Sequence, residues 1–168
     1  NAVDFATKLL DSDEFAYLAL SASWISDKNT ALCAASSFLK LIREALLYPG
    51  NKPFEDQEII KLMELCQIGY LQDKLDVVAD WSHVLSVGEQ QRLAFVRAHI
   101  QEPLWLFLDE ATSALDEDTE AKMYELLGAK LSSTTVVSVG HRSTLNKYHQ
   151  LVLFIDKDEK TVTLSDNV

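Results

Sequence analysis

The residues best placed to do chemistry are two adjacent acids. Asp109 and Glu110 follow Leu104-Trp-Leu-Phe-Leu108, a run that is apolar at every position. A strand apolar on both faces belongs in the middle of a parallel sheet covered by helices. In open α/β sheets, ligands sit at the carboxyl ends of the strands. Two carboxylates there are costly to hold unless something positive joins them. An oxygen-seeking cation such as Mg²⁺ is the natural candidate. The plainer alternative is that the pair opens a solvated loop.

Three further groups could act with them. Ser86-Val-Gly-Glu89 has the spacing of a capping box, with Ser at the N-cap and Glu three positions on. Gly88 is a poor helix former for a first turn. A residue without a side chain there lets an anion approach the free N–H groups of a helix start, with the Ser86 hydroxyl nearby. His141 falls just past the predicted strand Thr134–Val139, after Gly140, at the same sheet edge as the acids. Arg142 pairs either with the acidic loop or with phosphate. The acid run Asp116–Glu120 reads as a dipole-matched helix start, and within it only Asp116 is kept as a functional candidate. His83, His99 and His149 have no such context and are read as structural. Cys33 and Cys66 lack metal-ligand spacing and suggest no disulfide framework.

Several elements must position these groups. Ile59, Leu62, Met63 and Cys66 line one side of a predicted helix over Glu55–Cys66, preceded by a helix over Ser36–Leu47 and a turn at Tyr48-Pro-Gly-Asn51. A helix over Glu89–Ile100 leads to the strand Leu104–Leu108. A helix over Glu117–Leu131, a strand over Thr134–Val139, a short helix at Ser143–Lys147 and strands at Leu151–Ile155 and Thr161–Leu164 follow. Strand alternating with helix is the grammar of an α/β sheet. The first forty residues read as helical, from the stripe Val3, Ala6, Leu9, Leu10 and a second through Phe15, Leu18, Ala19 and Ala22. The expected class is thus α/β, with a helix-rich N-terminal half. It divides into a helical segment over 1–40, a helical subdomain over 41–100 and an α/β part over 101–168.

Composition narrows the function. The chain has 168 residues and a net charge of −11, from 15 basic and 26 acidic side chains. Such a surface repels phosphate backbones, so nucleic acid is not the expected partner. The longest apolar runs fall far short of the roughly 18–20 residues of a transmembrane helix, and no basic segment precedes Phe15–Ile25 to make a signal peptide. The chain opens on Asn, as an excised piece would. Its five glycines, at 50, 69, 88, 128 and 140, have spacings that fit neither a phosphate-binding P-loop nor the dinucleotide fingerprint.

Taken together, Leu85-Ser-Val-Gly-Glu-Gln-Gln-Arg92 resembles the signature motif of ATP-binding-cassette (ABC) ATPases, with Val87 where many members carry Gly. Leu104–Asp109 with Glu110 resembles their Walker B strand and catalytic glutamate. Ser113-Ala-Leu-Asp116 is similar to the D-loop, and His141 to the switch histidine. The resemblance spans roughly Leu41 to Ile155. Arg43-Glu-Ala-Leu-Leu-Tyr-Pro49 and Asp80-Trp-Ser82 resemble the exporter branch, which includes peroxisomal fatty-acyl transporters and bacterial relatives of the SbmA/YddA type.

The resemblance implies ATP and Mg²⁺ as cofactors. Glu110 would polarise water, Asp109 would hold the cation through water, and His141 would contact the γ-phosphate. Ser86, Gly88, Glu89, Gln90 and Asp116 would serve nucleotide held by a second, head-to-tail cassette. A transmembrane partner at the cytoplasmic face of a membrane is implied as well. A Walker A lysine and a Q-loop glutamine have no counterpart, since Thr30–Leu41 contains no Gln. Two readings therefore stand, a transporter's ATPase domain and a non-catalytic half that completes a partner's site. The Ala111–Asp116 run and the acidic charge favour transport over chromosome maintenance, the task of another ABC branch.

Overall fold

The computed structural model describes residues 17–21, 41–48, 53–156 and 161–167. The expected helix over Val3–Leu10, the start of the helix over Ser36–Leu47, the turn at 49–51 and Cys33 lie outside them. The centre of the fold is a parallel sheet of three strands, β1 (Tyr17–Ser21), β2 (Trp105–Asp109) and β3 (Thr135–Val139), in the order β1-β2-β3. Tyr17 pairs with Trp105 and Trp105 with Thr135, and the register runs unbroken to Ser21, Asp109 and Val139. The apolar run read as a central strand is therefore central.

Residues 17–21 correct the sequence reading, which makes them helical. Tyr-Leu-Ala-Leu-Ser is a short apolar run, and such a run fits a buried strand or a buried helix equally well by period. Pairing with β2 decides it. The sheet thus takes one strand from residues 1–40 and two from residues 101–168.

Among the described residues, five helices and two 3₁₀ turns accompany the sheet. These are α1 (Ile42–Leu47), α2 (Asp56–Leu65), a 3₁₀ turn at Gly69–Lys74, α3 (Trp81–Val84), α4 (Val87–Gln101), α5 (Glu117–Lys130) and a 3₁₀ turn at Ser143–Tyr148. An antiparallel hairpin of β4 (Leu151–Asp156) and β5 (Thr161–Asp166) follows. No helix among the described residues is long and apolar enough to cross a membrane.

The core is built around α4. Leu93 to Ile100 are all buried, as expected of a helix covered on every side. Phe95 meets Tyr124 of α5 edge-on at 6.3 Å. Ile42 and Leu46 of α1, Ile59 and Met63 of α2, and Leu106 and Leu108 of β2 complete the core. Each such side chain contributes about 1.5–3 kcal/mol by leaving water.

Polar groups of α4 finish its neighbours. Gln101 donates to the carbonyl of Leu47 at 3.0 Å and Arg97 to that of Tyr48 at 3.0 Å, so the last carbonyls of α1 find donors. Arg43 of α1 pairs with Asp56 and, at 2.7 Å, with Asp76, which ties together the helical part.

Candidate active site

The carboxyl edge of the sheet brings the predicted acids and the histidine together. β2 ends at Asp109, which is exposed between the ends of β1 and β3. The next residue, Glu110, has a left-handed backbone at φ 49°. Its N–H donates to the carbonyl of Val139 at 2.9 Å, which turns the chain back over the end of β3. His141 Nε2 lies 3.2 Å from Glu110 Oε1, with the imidazole 94% exposed. Gly140 precedes it at a point where a Cβ would lie 2.7 Å from Leu145 Cδ1. The loop therefore passes close over Leu145 on its way to the acid.

This donor set fits Mg²⁺. No group of three or more His, Cys, Asp or Glu able to hold a metal occurs among the described residues. Mg²⁺ commonly keeps several waters and takes one or two carboxylates plus substrate phosphates, not a protein cage. Asp109, exposed beside Glu110, suits that mode.

The predicted capping box is present. Ser86 Oγ accepts from the Glu89 N–H at 3.3 Å, and Glu89 Oε2 accepts from the Ser86 N–H at 2.8 Å and its hydroxyl at 2.6 Å. Tyr70, from the 3₁₀ turn at Gly69–Lys74, donates to Glu89 Oε1 at 2.6 Å. Partial burial pushes the Glu89 carboxyl up, but the Ser86 and Tyr70 hydroxyls outweigh it and hold it below the usual range. Asp116 caps α5, accepting the Thr119 N–H at 2.8 Å and its hydroxyl at 3.0 Å. These bonds lower its carboxyl.

Between the two capped helix starts lies a cleft of about 400 Å³. It is lined by Ser86, Val87, Gly88 and Arg92 on one side and Ala114, Leu115, Asp116 and Thr119 on the other. A Cβ on Gly88 would stand 3.3 Å from the Ala114 carbonyl oxygen. The close approach of the 114–115 turn is thus a packing reason for the glycine, alongside the anion access read from sequence.

Ser86, Gly88 and Asp116 all line this cleft, whereas Glu89 and Gln90 do not. Gln90 is buried and donates to the carbonyls of Leu85 at 2.9 Å and Ser82 at 3.1 Å, so it holds the approach to α4 and is absent from the cleft lining. The Glu89 carboxylate is taken up by Ser86 and Tyr70. Arg142, left open between two partners, goes to the acid run. It donates to Glu120 Oε2 at 3.3 Å and to the carbonyls of Leu115 at 3.0 Å and Ser113 at 3.3 Å.

Sequence reasoning missed Tyr70, Gln91 and Glu120. Glu120 is 2% exposed and also takes hydroxyl bonds from Thr112 at 2.6 Å and Thr144 at 3.0 Å. Nothing local separates it from its neighbours in the acid run except helical phase. Its alignment with the buried Met123 and Leu127 of α5 was the available signal.

Comparison with known proteins bears on this geometry. The ABC transporter family model matches residues 15–113, more than half of the chain. The match starts well before Leu41, where the sequence resemblance is placed, and takes in β1. An uncharacterized ABC transporter ATP-binding protein of Haemophilus influenzae is 44% identical over 115 residues, covering 68% of this chain and 19% of that protein. ABC transporter D family member 2, chloroplastic, of Arabidopsis thaliana is 42% identical over 118 residues, 68% of this chain and 16% of that protein. The structure of a bacterial Atm1-family ABC exporter with ATP bound aligns with a TM-score of 0.59 at 28% identity, covering 68% of this chain and 21% of that one. The chain spans about a fifth of the length of the curated relatives it matches. With an ABC cassette fold and a family match over more than half its length, the chain belongs to the ABC transporter family.

Proposed function

We propose that this chain is part of the ATP-binding cassette of an exporter-type transporter and acts in ATP hydrolysis coupled to transmembrane transport. The observation that carries the reading is the pairing of Glu110 with His141 at the end of β2, two groups brought together only by the parallel register of β2 and β3. When bound, Mg-ATP supplies the γ-phosphoryl group to be transferred, and the cation spreads its charge. Asp109, with its exposed carboxylate, would help to hold the cation. Glu110 would orient and polarise the attacking water, and His141 would donate to the γ-phosphate.

The cleft serves a second nucleotide. Ser86 offers a hydroxyl, Gly88 an uncrowded helix start, and Asp116 a carboxylate at the opposite wall. Together they face ATP held by a second cassette in a head-to-tail dimer. The companion chain segment or subunit spans the membrane, and the cassette stands at its cytoplasmic face; nucleic acid is not a partner.

A second reading is favoured by the glycine spacings, which place no P-loop pattern in these 168 residues. In that reading the chain lends Ser86 and Gly88 to a partner's nucleotide without hydrolysing its own. The test is Mg-ATP turnover by the chain alone and mixed with a complete cassette from a relative. Saturable turnover alone, abolished by Glu110→Gln, supports the catalytic reading. Stimulation only in the mixture, lost on Ser86→Arg, supports the second. Absence of both overturns the two together.

A further inference from the structure

Three non-glycine residues among those described have a left-handed backbone: Gln67, Glu102 and Glu110. Glu102 is the C-cap of α4, and Gln67 follows the C-cap of α2. A left-handed residue is the ordinary way to end a helix. Glu110 instead follows a strand, where a side-chain-bearing residue adopts that conformation only if its surroundings enforce it. Its N–H is held by Val139, as described above. Its carbonyl accepts from Gln91 Nε2 at 3.2 Å.

Gln91 lies in the second turn of α4 and is 1% exposed. Its amide makes two further bonds to the same turn. Nε2 donates to Ser113 Oγ at 3.1 Å, and Oε1 accepts the Ala114 N–H at 3.1 Å. One buried side chain thus grips residues 110, 113 and 114. The chemistry demands an amide, since a donor must face the Glu110 carbonyl and an acceptor the Ala114 N–H. A carboxylate meets only the second need, and a thioether meets neither.

We propose that Gln91 is a positioning residue that fixes Glu110 in its left-handed conformation and sets the distance between the two walls of the cleft. Ala114 belongs to one wall, and the start of α4, from its N-cap Ser86 through Gly88 to Arg92, forms the other. The Glu110 edge and the Ser86 cleft are therefore mechanically joined through a single amide. The catalytic consequence rests on the function proposed above, whereas the grip itself does not.

The test compares the full chain with Gln91→Met and Gln91→Glu. In Gln91→Met, amide hydrogen exchange at Ala114 should rise by about tenfold, the effect of losing one buried hydrogen bond, with the interiors of α4 and α5 unchanged. Gln91→Glu keeps the acceptor, so Ala114 should stay protected. In the turnover assay, alone or mixed, both variants should lower the maximal rate about tenfold while the ATP concentration for half-maximal rate moves less than about twofold. Unchanged exchange over 110–114 in Gln91→Met overturns the inference, as does loosened exchange with an unchanged maximal rate. If the unsubstituted chain supports no turnover in either format, the proposed function fails separately, and the exchange result alone decides whether Gln91 grips the turn.

Discussion

The two flanks of the sheet are finished very differently. On the side of α4 and α5, the turn from Glu110 to Glu120 is held by side chains from two other places and by its own. Gln91 takes its beginning, Asp116 and Thr119 close its end, and Arg142 reaches across to the carbonyls of Ser113 and Leu115. The far flank, β3 and the β4–β5 hairpin that follows it in the chain, has fewer such ties among the described residues: Tyr124 donates to Ser138 Oγ at 3.0 Å, and Asn167 Nδ2 to the His149 carbonyl at 2.8 Å. β3 exposes Val137 and Val139, and the β4–β5 hairpin exposes Leu151, Leu153, Phe154 and Leu164. The contrast shows where preorganisation is concentrated: around the residues proposed to meet phosphate, and not in the sheet as a whole.

The strongest way to break this contrast is to remove Glu120. The carboxylate is buried with three donors around it, from Thr112, Thr144 and Arg142. Removing one partner of a buried ion pair strands the others, at a cost approaching several kcal/mol. Arg142 is partly exposed, which moderates this, so Glu120→Ala should lose about 3 kcal/mol in denaturant unfolding. Glu120→Gln, which still accepts hydroxyl bonds, should lose about 1–2 kcal/mol. Equal losses would mean that charge, not the hydroxyl network, holds the turn.

A smaller effect tests the cleft's other wall. Ser86→Ala removes the hydroxyl that accepts the Glu89 N–H, and thermal unfolding should register the loss of an N-cap, about 1 kcal/mol. Tyr70→Phe should weaken the same corner, because the Tyr70 hydroxyl helps to hold Glu89. If both substitutions leave stability unchanged, the start of α4 is not preorganised as described.

These residues also mark how much was legible beforehand. The capping box, the α5 start at Glu117 and the strand ending at Asp109 were readable because each is a local rule, in which a few neighbouring residues fix a few backbone angles. β1 was not, since Tyr17–Ser21 is too short for its period to choose between helix and strand and only its partner decides. Gln91 and Glu120 were hidden for a related reason. Their partners stand far away in sequence, so their types alone read as a polar helix residue and a dipole charge. Gly88 was half-read: the reason found in sequence concerned a ligand, and the turn at Ala114 supplies another. Gln90 turns toward the carbonyls of Ser82 and Leu85, a placement that a motif does not give, since it fixes an order of residues but not the face on which each one lands.

A third prediction concerns pH and falls on the well-finished flank. Burial lowers the pKa of His99 on α4, whose imidazole donates from Nδ1 to the Phe95 carbonyl at 2.7 Å. The folded state thus resists a proton that the unfolded state accepts near the ordinary value of about 6.5. The unfolded chain binds more protons below that pH, so stability should fall as pH drops from 7.5 to 5.5. Burial lowers His149 as well, adding to the same slope. Thermal midpoints across that range should show a shallower slope in His99→Gln. A slope of opposite sign would mean that His99 is charged in the fold.

The smallest effect on stability is expected on the far flank, and it is the sharpest test of the comparison. Val139 is 60% exposed and Phe154 62% exposed, so little apolar area leaves water there when the chain folds. Val139→Thr and Phe154→Thr together should change unfolding free energy by no more than about 0.5 kcal/mol, the usual range for surface positions. The same pair should reduce association between chains, because an apolar sheet edge invites pairing with another surface. Sedimentation velocity over rising protein concentration would read this directly. A loss of several degrees in the thermal midpoint, with association unchanged, would show that these side chains are packed within the single chain in solution, and the two flanks would then differ far less than they do here.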